Sequence, residues 1–177
     1  MKRLIGSVTL LLLICGYLWS CEKDDICPES TPTTPSIVIR FYDADNHVSR
    51  RSVTNLQVFM EGMDTVSLGT TDSIALPLRT DATSTRWGLI YNRTSQSVPG
   101  GVIPDTDFIE FKYTTREAYV SRACGYKVMF TLDDNLNANP NPVLTDKPGE
   151  NHFWIDEFTL ENKNIENENK AHVKIFF

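Results

Sequence analysis

Apolar and polar side chains alternate along much of the chain after residue 36, and this alternation constrains the fold more than any other feature. In the first such segment, Ile37, Ile39 and Phe41 occupy every second position. A period of two puts successive side chains on opposite faces of an extended strand, so it predicts strands with one buried face. The predicted strands are Ile37–Tyr42, Leu56–Met60, Thr65–Leu68, Ser73–Leu78, Arg86–Asn92, Phe108–Thr114, Ala118–Cys124, Tyr126–Leu132, His152–Leu160 and Ala171–Phe177.

Turn-forming residues separate these segments, and no segment has the periodicity of an amphipathic helix. The predicted turns are Asp43–Asn46, Pro99–Gly101, Asp133–Asn135 and Pro140–Pro142. The stretch Asn162–Lys170 is polar all round and predicts a loop before the last strand. Many short strands at nearly even spacing are typical of antiparallel sandwiches and barrels. We predict an all-β fold, a single antiparallel β-sandwich of immunoglobulin-like or transthyretin-like type, over residues 36–177.

The first 20 residues have the layout of an export signal. Lys2 and Arg3 precede an apolar run, Leu4–Leu18, of about 15 residues, which is shorter than the ~20 residues a membrane-spanning helix needs. The run ends in Leu18-Trp19-Ser20-Cys21, which resembles a bacterial lipobox. The resemblance implies cleavage after residue 20 and acylation of Cys21, so that the protein is anchored to a membrane rather than spanning it. The alternative is an ordinary secretory signal followed by an incidental cysteine.

A charged cluster follows Cys21 and predicts where the anchored protein is displayed. The cluster consists of Glu22, Lys23, Asp24 and Asp25. It resembles the export signal of Bacteroides-type surface lipoproteins, which implies display on the outer face of the outer membrane; the periplasmic face is the alternative. Residues 21–35 are predicted to form a tether, because Glu29–Pro35 is a Pro/Thr spacer too stiff and polar to join a core.

Composition argues against nucleic acid as a partner. The formal net charge is −6, and it becomes more negative when Lys2 and Arg3 leave with the signal. An acidic chain without a basic stripe binds phosphates poorly.

Two cysteines remain outside the signal and the lipidation site. Cys27 and Cys124 are a lone pair in an exported chain, where a disulfide is the default. Free thiols and a metal site are the alternatives, but two distant cysteines lack the spacing of metal ligands.

The carboxylate groups give no convincing catalytic or metal site. Asp43–Asn46 has the spacing that begins a calcium loop, but Val48 stands where such a loop needs glycine, so we interpret it as a hairpin turn. Asp133–Asn139 is also oxygen-rich, although its flanking prolines favour an extended loop. Asp156 and Glu157 are adjacent and would point to opposite faces of a strand, unlike a glycosidase pair. We therefore predict no catalytic residue, no metal site and no cofactor.

Large aromatic residues have two interpretations. Trp87 and Tyr91 share one face of a predicted strand with Leu89, and Trp154 lies on another strand. Exposed, such rings could stack on sugars; buried, they would fill the core of the sandwich, which we favour.

Two short patterns are candidates for modification. Asp64-Thr65-Val66 and Asp72-Ser73-Ile74 resemble the acceptor pattern of Bacteroides-type periplasmic O-glycosylation. The resemblance implies Thr65 and Ser73 as the acceptors.

Several stretches together resemble one family. They are Cys21-Glu22 with Cys27, Ile37–Asp43, Val120–Tyr126, Ile155-Asp156 and His172–Phe176. They are similar to a family of small Bacteroides-type lipoproteins that is classed as a domain of unknown function. The resemblance implies a β-rich lipoprotein and supplies no activity.

We expect a non-enzymatic, lipid-anchored binding or assembly module at the cell envelope, whose partner is a glycan or an outer-membrane protein. The alternatives are a fimbrial or surface-layer subunit that pairs edge strands, with Ala171–Phe177 as the strand to test, and an envelope hydrolase.

Overall fold

A computed structural model describes residues 26–96, 99–133, 141–150 and 152–177, which form strands, turns and loops. The strands are β1 (Ile37–Tyr42), β2 (Val53–Met60), β3 (Val66–Thr71), β4 (Ser73–Leu76), β5 (Ser84–Thr94), β6 (Val102–Ser121), β7 (Gly125–Leu132), β8 (Val143–Asp146), β9 (Glu157–Leu160), β10 (Asn164–Ile165) and β11 (Val173–Phe176). None of the described residues belongs to a helix long and apolar enough to cross a membrane.

The chain divides into two compact units. Residues 26–31 and Tyr119–Tyr126 belong to the smaller unit, which we call the clasp. The larger unit consists of Pro32–Ala118 and Lys127–Phe177 and carries the hydrophobic core.

The strands form two sheets, which confirms the predicted all-β sandwich. One sheet has four strands in the order β4-β1-β11-β9, and the other has seven in the path β10-β7-β6-β5-β2-β3, with β8 also paired to β6. Neighbouring strands are antiparallel except β1 and β11, which run parallel. Because β11 lies between β1 and β9, the last strand of the chain is an inner strand of its sheet.

The alternation seen in the sequence places one face of each main strand in the core. On β1, Ile37, Ile39 and Phe41 are fully buried. On β6, Ile109 and Phe111 are buried in the same way, and β11 contributes Val173 and Ile175. Removing such side chains from water is the main favourable contribution to the free energy of folding.

The clasp is closed by the Cys27–Cys124 disulfide, as the cysteine count predicted. The two Cα atoms are 4.9 Å apart across 97 positions of sequence. Strand β6 ends in the clasp and β7 begins there, so the bridge ties the start of the described chain to the turn of this hairpin. The hydroxyl of Ser121 accepts the backbone N–H of Cys124 at 3.0 Å, and Gly125 has a φ of 70°, which closes the turn.

Some element boundaries differ from the predictions. The predicted strand Phe108–Thr114 and residues 118–121 of the predicted strand Ala118–Cys124 belong to one strand, β6, because the polar residues between them remain extended. Residues 122–124 lie in the turn that follows. The predicted loop Asn162–Lys170 contains β10, which pairs with β7, and β8 was missed. The spacer also packs earlier than expected: Pro35 is buried, and the Thr34 hydroxyl accepts the backbone N–H of Val128 at 3.0 Å.

Candidate functional site

Three carboxylates lie on neighbouring strands of the seven-stranded sheet. Asp105 and Asp107 are two positions apart on β6, so their side chains share one face of the strand. That face also carries Ile109 in the core, and both carboxylates are almost completely buried. Asp146 on β8 lies directly opposite Asp107. Buried carboxylates are rare without partners, so this cluster is the first candidate for a functional site.

Asp105 is partnered by two basic groups at the edge of the cluster. Its Oδ2 atom lies 2.7 Å from Nη2 of Arg93 and 3.0 Å from Nε2 of His152. The same Arg93 nitrogen is 2.7 Å from Nε2 of His152. The guanidinium therefore compensates the buried charge of Asp105, while Arg93 and His152 remain partly exposed to solvent.

Asp107 holds a segment of backbone in place. Its Oδ2 atom accepts the backbone N–H groups of Trp154 and Ile155, each at 2.9 Å. Burial raises the pKa of Asp107 to about 6, against the two hydrogen bonds, which lower it; the charges of Asp105 and Asp146 raise it further. Protonation of Asp107 is thus within reach of mildly acidic conditions.

Asp107 binds the backbone of its own chain, and one oxygen each of Asp105, Asp107 and Asp146 has no hydrogen-bond partner among the described residues. Asp107 is closed from solvent and already bonded to backbone, whereas a glycosidase pair has to face an open cleft. Among the described residues, no group of three or more His, Cys, Asp or Glu side chains could hold a metal ion. The observed role of Asp107 is structural, because it holds the backbone of Trp154 and Ile155 in place.

The outer face of the same sheet carries an aromatic groove. Phe59, Gly88 and Phe108 lie side by side on β2, β5 and β6. The rings of Phe59 and Phe108 meet edge to face at 5.7 Å, and the Arg86 guanidinium lies 4.1 Å from the centre of the Phe108 ring. Gly88 leaves room for the Phe59 ring here, because an added Cβ would lie 2.3 Å from that ring.

An exposed apolar edge borders the seven-stranded sheet. Strand β3 ends the strand path on that side, and its residues Val66, Ser67 and Leu68 are all exposed, so both faces of the strand meet solvent. Met63 in the preceding turn is 64% exposed. An edge strand offers unpaired backbone groups as well as side chains, so this region suits a protein partner better than a small molecule.

The clasp displays a pair of tyrosines that sequence analysis did not single out. Tyr119 and Tyr126 are 62% and 66% exposed, and their rings meet edge to face at 5.4 Å. The signal that could have identified them is their position on either side of the turn that contains Cys124.

The predicted lipidation, export and disulfide residues have different outcomes. Cys21 and the cluster of Glu22, Lys23, Asp24 and Asp25 lie outside the described residues. Cys27 and Cys124 are bonded, as described above.

The two candidate acceptors for O-glycosylation have different environments. Thr65 is exposed in the turn before β3. Ser73 is part-buried in β4, and its hydroxyl donates to the carbonyl oxygen of Ile39 at 3.3 Å. In the folded protein, Thr65 is therefore the more accessible of the two.

The aromatic residues considered for sugar stacking lie in the core, as we favoured. Trp87, Leu89 and Trp154 are buried. The indole N–H of Trp154 donates to the carbonyl oxygen of Leu89 at 3.1 Å, and its ring packs on Phe177 at 5.6 Å. Tyr91 is partly buried against the same cluster.

The two candidate calcium loops are Asp43–Asn46 and Asp133–Asn139. The Asp43 carboxylate accepts the backbone N–H groups of Asp45 and Asn46, which is the turn interpretation. Most of the oxygen-rich stretch Asp133–Asn139 lies outside the described residues.

Fold and site together define an all-β sandwich with one disulfide among its described residues and a cluster of buried carboxylates on β6. The chain belongs to a family of unknown function, DUF6452, whose model matches residues 55–177. No curated protein and no solved structure shows significant similarity to it.

Proposed function

We propose that this is a lipid-anchored protein of the cell envelope, displayed on the outer surface of the outer membrane, that acts as a non-enzymatic binding module. The observation that carries the proposal is the Cys27–Cys124 disulfide, which closes shortly after the lipobox cysteine Cys21. Structural disulfides form and persist in oxidising compartments, which supports export of the chain. The short separation between Cys21 and Cys27 in the sequence supports a domain held close to its anchor.

The acidic cluster Glu22–Asp25 supports the outer surface over the periplasmic face. The region best suited to a partner is the exposed apolar edge at β3. Val66 and Leu68 offer side chains there, and the free edge of β3 offers backbone hydrogen bonds. The partner we infer is another envelope protein, such as an outer-membrane protein, that adds a strand or packs along this edge. A glycan partner would use ring faces instead, and the aromatic groove at Phe59 and Phe108 is the surface to examine for it.

The anchor is tested by mass spectrometry of the N-terminal peptide from purified envelopes. We expect Cys21 to be the first residue and to carry acyl chains. Cys21→Ala should leave the protein uncleaved, while the matched control Cys15→Ala, inside the signal, should be processed normally. A mature chain that begins elsewhere, or an unmodified Cys21, would refute lipid anchoring.

Display is tested on intact cells with a membrane-impermeant biotin reagent. Wild-type protein should be labelled before lysis. Replacing the acidic cluster by Glu22→Ser, Asp24→Asn and Asp25→Asn should leave acylation intact and restrict labelling to lysed cells. Protection of the wild type would place the protein on the periplasmic face.

The partner surface is tested with a photo-crosslinking residue placed at Val66 in living cells. Val48 is the matched control, because it is also an exposed valine. We expect a discrete adduct with another envelope protein from position 66 and none from position 48. Equal adducts from both positions would contradict a specific role of β3.

The assembly alternative is favoured by one observation, the open edge of β3. Under that reading, crosslinking from position 66 would give ladders of the protein with itself. Donation of Ala171–Phe177 is harder to reconcile with the fold, because β11 is an inner strand and its neighbour Phe177 is buried.

A further inference from the structure

We propose that the clasp is a membrane-contact surface, which rests on the bilayer interface beside the anchor. The inference rests on the proposed lipid anchor at Cys21 and adds a second, non-covalent contact with the phospholipid headgroup region. It concerns residues 26–31 and Tyr119–Tyr126, which form one compact unit.

The exposed side chains of the clasp have the chemistry of the bilayer interface. Ile26 is 80% exposed, and Tyr119 and Tyr126 form an exposed ring pair. Tyrosine is enriched at membrane–water interfaces, because its ring enters the apolar boundary while its hydroxyl stays hydrated. Arg122, at the turn of the hairpin, is exposed as well and can pair with lipid phosphates.

A concavity on the clasp adds to this surface. It has a volume of about 620 Å³ and lies between the disulfide-linked segment and the hairpin. Its lining includes Ile26, Pro28 and Tyr119 together with Arg122. Thr31 and Ser121 add hydroxyl groups to the lining, and this mixture of apolar, hydroxyl and cationic groups matches a phospholipid headgroup and the first carbons of its chains.

The covalent path keeps this surface close to the membrane. The chain passes from Cys21 to Cys27, and the disulfide then joins it to Cys124 at the hairpin turn. Six residues span at most about 20 Å when fully extended. If Cys21 is held in the bilayer by acyl chains, the clasp cannot move farther than this from the headgroups.

Tethering also makes a weak contact sufficient. A short linker gives the two groups that it joins an effective concentration in the millimolar range. A few exposed apolar side chains bind an interface only weakly on their own, but at that concentration the contact is populated. The clasp therefore does not need the affinity of an independent membrane-binding domain.

The test attaches the mature chain, Cys21 to Phe177, to vesicles of phosphatidylethanolamine and phosphatidylglycerol. With Cys27 and Cys124 bonded, Cys21 is its single free thiol and couples to a maleimide lipid. Tyr126→Trp reports on the clasp through quenching by lipids that carry a nitroxide near the headgroup. Met63→Trp is the matched control, because Met63 is 64% exposed and Tyr126 66%.

We expect nitroxide lipids to quench the added fluorescence of Tyr126→Trp at least twofold more than that of Met63→Trp. Equal quenching of the two reporters would overturn the proposal, and Tyr119→Trp provides a second reporter if the first does not fold. The chemical coupling bypasses acylation in the cell. Failure of membrane contact is therefore distinguishable from failure of the lipid anchor, which the mass of the Cys21 peptide tests separately.

Discussion

Asp107 lies directly opposite Asp146 across the antiparallel pair β6 and β8, so two carboxylates occupy one face of the sheet. Within the described residues, one oxygen of each has no hydrogen-bond partner. Burial is the main cause of the raised pKa of Asp107. The negative charge of Asp146 raises this pKa further, because it disfavours a second negative charge on Asp107. Folding stability must therefore depend on pH, because the folded state binds a proton on Asp107 more tightly than the unfolded state does.

Asp107→Asn is expected to stabilise the protein at neutral pH. The proton on buried Asp107 stabilises the folded state, because the pKa of Asp107 is raised to about 6. This stabilisation is complete below the unfolded pKa near 3.8 and is lost as pH rises through about 6. The loss at pH 7 is about 3 kcal/mol, because one pKa unit corresponds to about 1.4 kcal/mol. Asparagine keeps an acceptor oxygen for the N–H groups of Trp154 and Ile155 but carries no charge. Chemical denaturation at pH 4.5 and 7.5 measures the difference.

The control for this prediction is Asp156→Asn, which removes the charge of an exposed carboxylate. It should leave the dependence of unfolding free energy on pH nearly unchanged. Asp107→Leu should destabilise at both pH values, because it abolishes both hydrogen bonds. If Asp107→Asn destabilises the protein as Asp107→Leu does, the charge of Asp107 is not the cause of the lower stability at neutral pH.

His172 is expected to act in the opposite direction. It is buried, and its Nδ1 atom accepts the backbone N–H of Val38 at 2.9 Å. Burial lowers its pKa below the ordinary value of 6.5, although the charge of Glu168 and a backbone hydrogen bond oppose this. Its contribution to stability is therefore complete above pH 6.5 and is lost as pH falls towards the folded pKa.

His172→Asn should reduce the loss of stability between pH 6.5 and 5, because the Oδ1 atom of asparagine can accept the same N–H and does not titrate in this range. The melting temperature as a function of pH is the readout. His47→Asn, at an exposed histidine, is the control and should keep the slope of the wild type. An unchanged slope for His172→Asn would show that His172 is not the group responsible.

Breaking the disulfide is expected to lower the melting temperature. For a closed loop of 97 residues, the chain-entropy account gives about 4–5 kcal/mol of stabilisation, through restriction of the unfolded chain. Cys27→Ser and Cys124→Ser should therefore have similar effects, and the double variant should be no worse than either single one. Addition of a reductant should reproduce the loss in the wild type and change nothing in the double variant. Equal melting of the wild type with and without reductant would contradict the prediction.

Gly88→Ala is expected to destabilise the sheet by about 1–3 kcal/mol, the usual cost of overpacking. The added Cβ would lie within 2.3 Å of the Phe59 ring, which must then leave its contact with Phe108. In a double-mutant cycle, the cost of Gly88→Ala should shrink when Phe59 is replaced by Leu. Gly149→Ala is unsuitable as a control, because Gly149 has a φ of 94° and any side chain there would strain the backbone without a clash. Ser67→Ala, at an exposed position, serves better.

Much of the fold follows from the alternation of the sequence, whereas the buried acidic cluster does not. Strands such as β1 and β11 could be predicted because Ile and Val recur at every second position and bury one face. Strand β8 was missed because it is only four residues long and follows a proline-rich turn. Asp105 and Asp107 lie at alternate positions of β6 before Ile109, so the side chains of all three share one face of the strand. This alternation was the one available signal of their burial.

The candidate surfaces were less predictable still, because exposure depends on which strands become edges. Val66 and Leu68 have the composition of a buried strand, but among the described strands β3 has a neighbour on one side only. Tyr119 and Tyr126 are aromatic residues of predicted strands and are nevertheless exposed. In both cases the deciding information is the pairing of strands distant in sequence, which local patterns do not contain.

The parallel pair of β1 and β11 has a consequence for how such a chain is made. Ile39 pairs with Val173, and β11 separates β1 from β9. The four-stranded sheet therefore cannot close until β11 has been synthesised, long after β1. Pairing of strands this far apart in sequence slows folding, because the ends of a long loop must first be brought together.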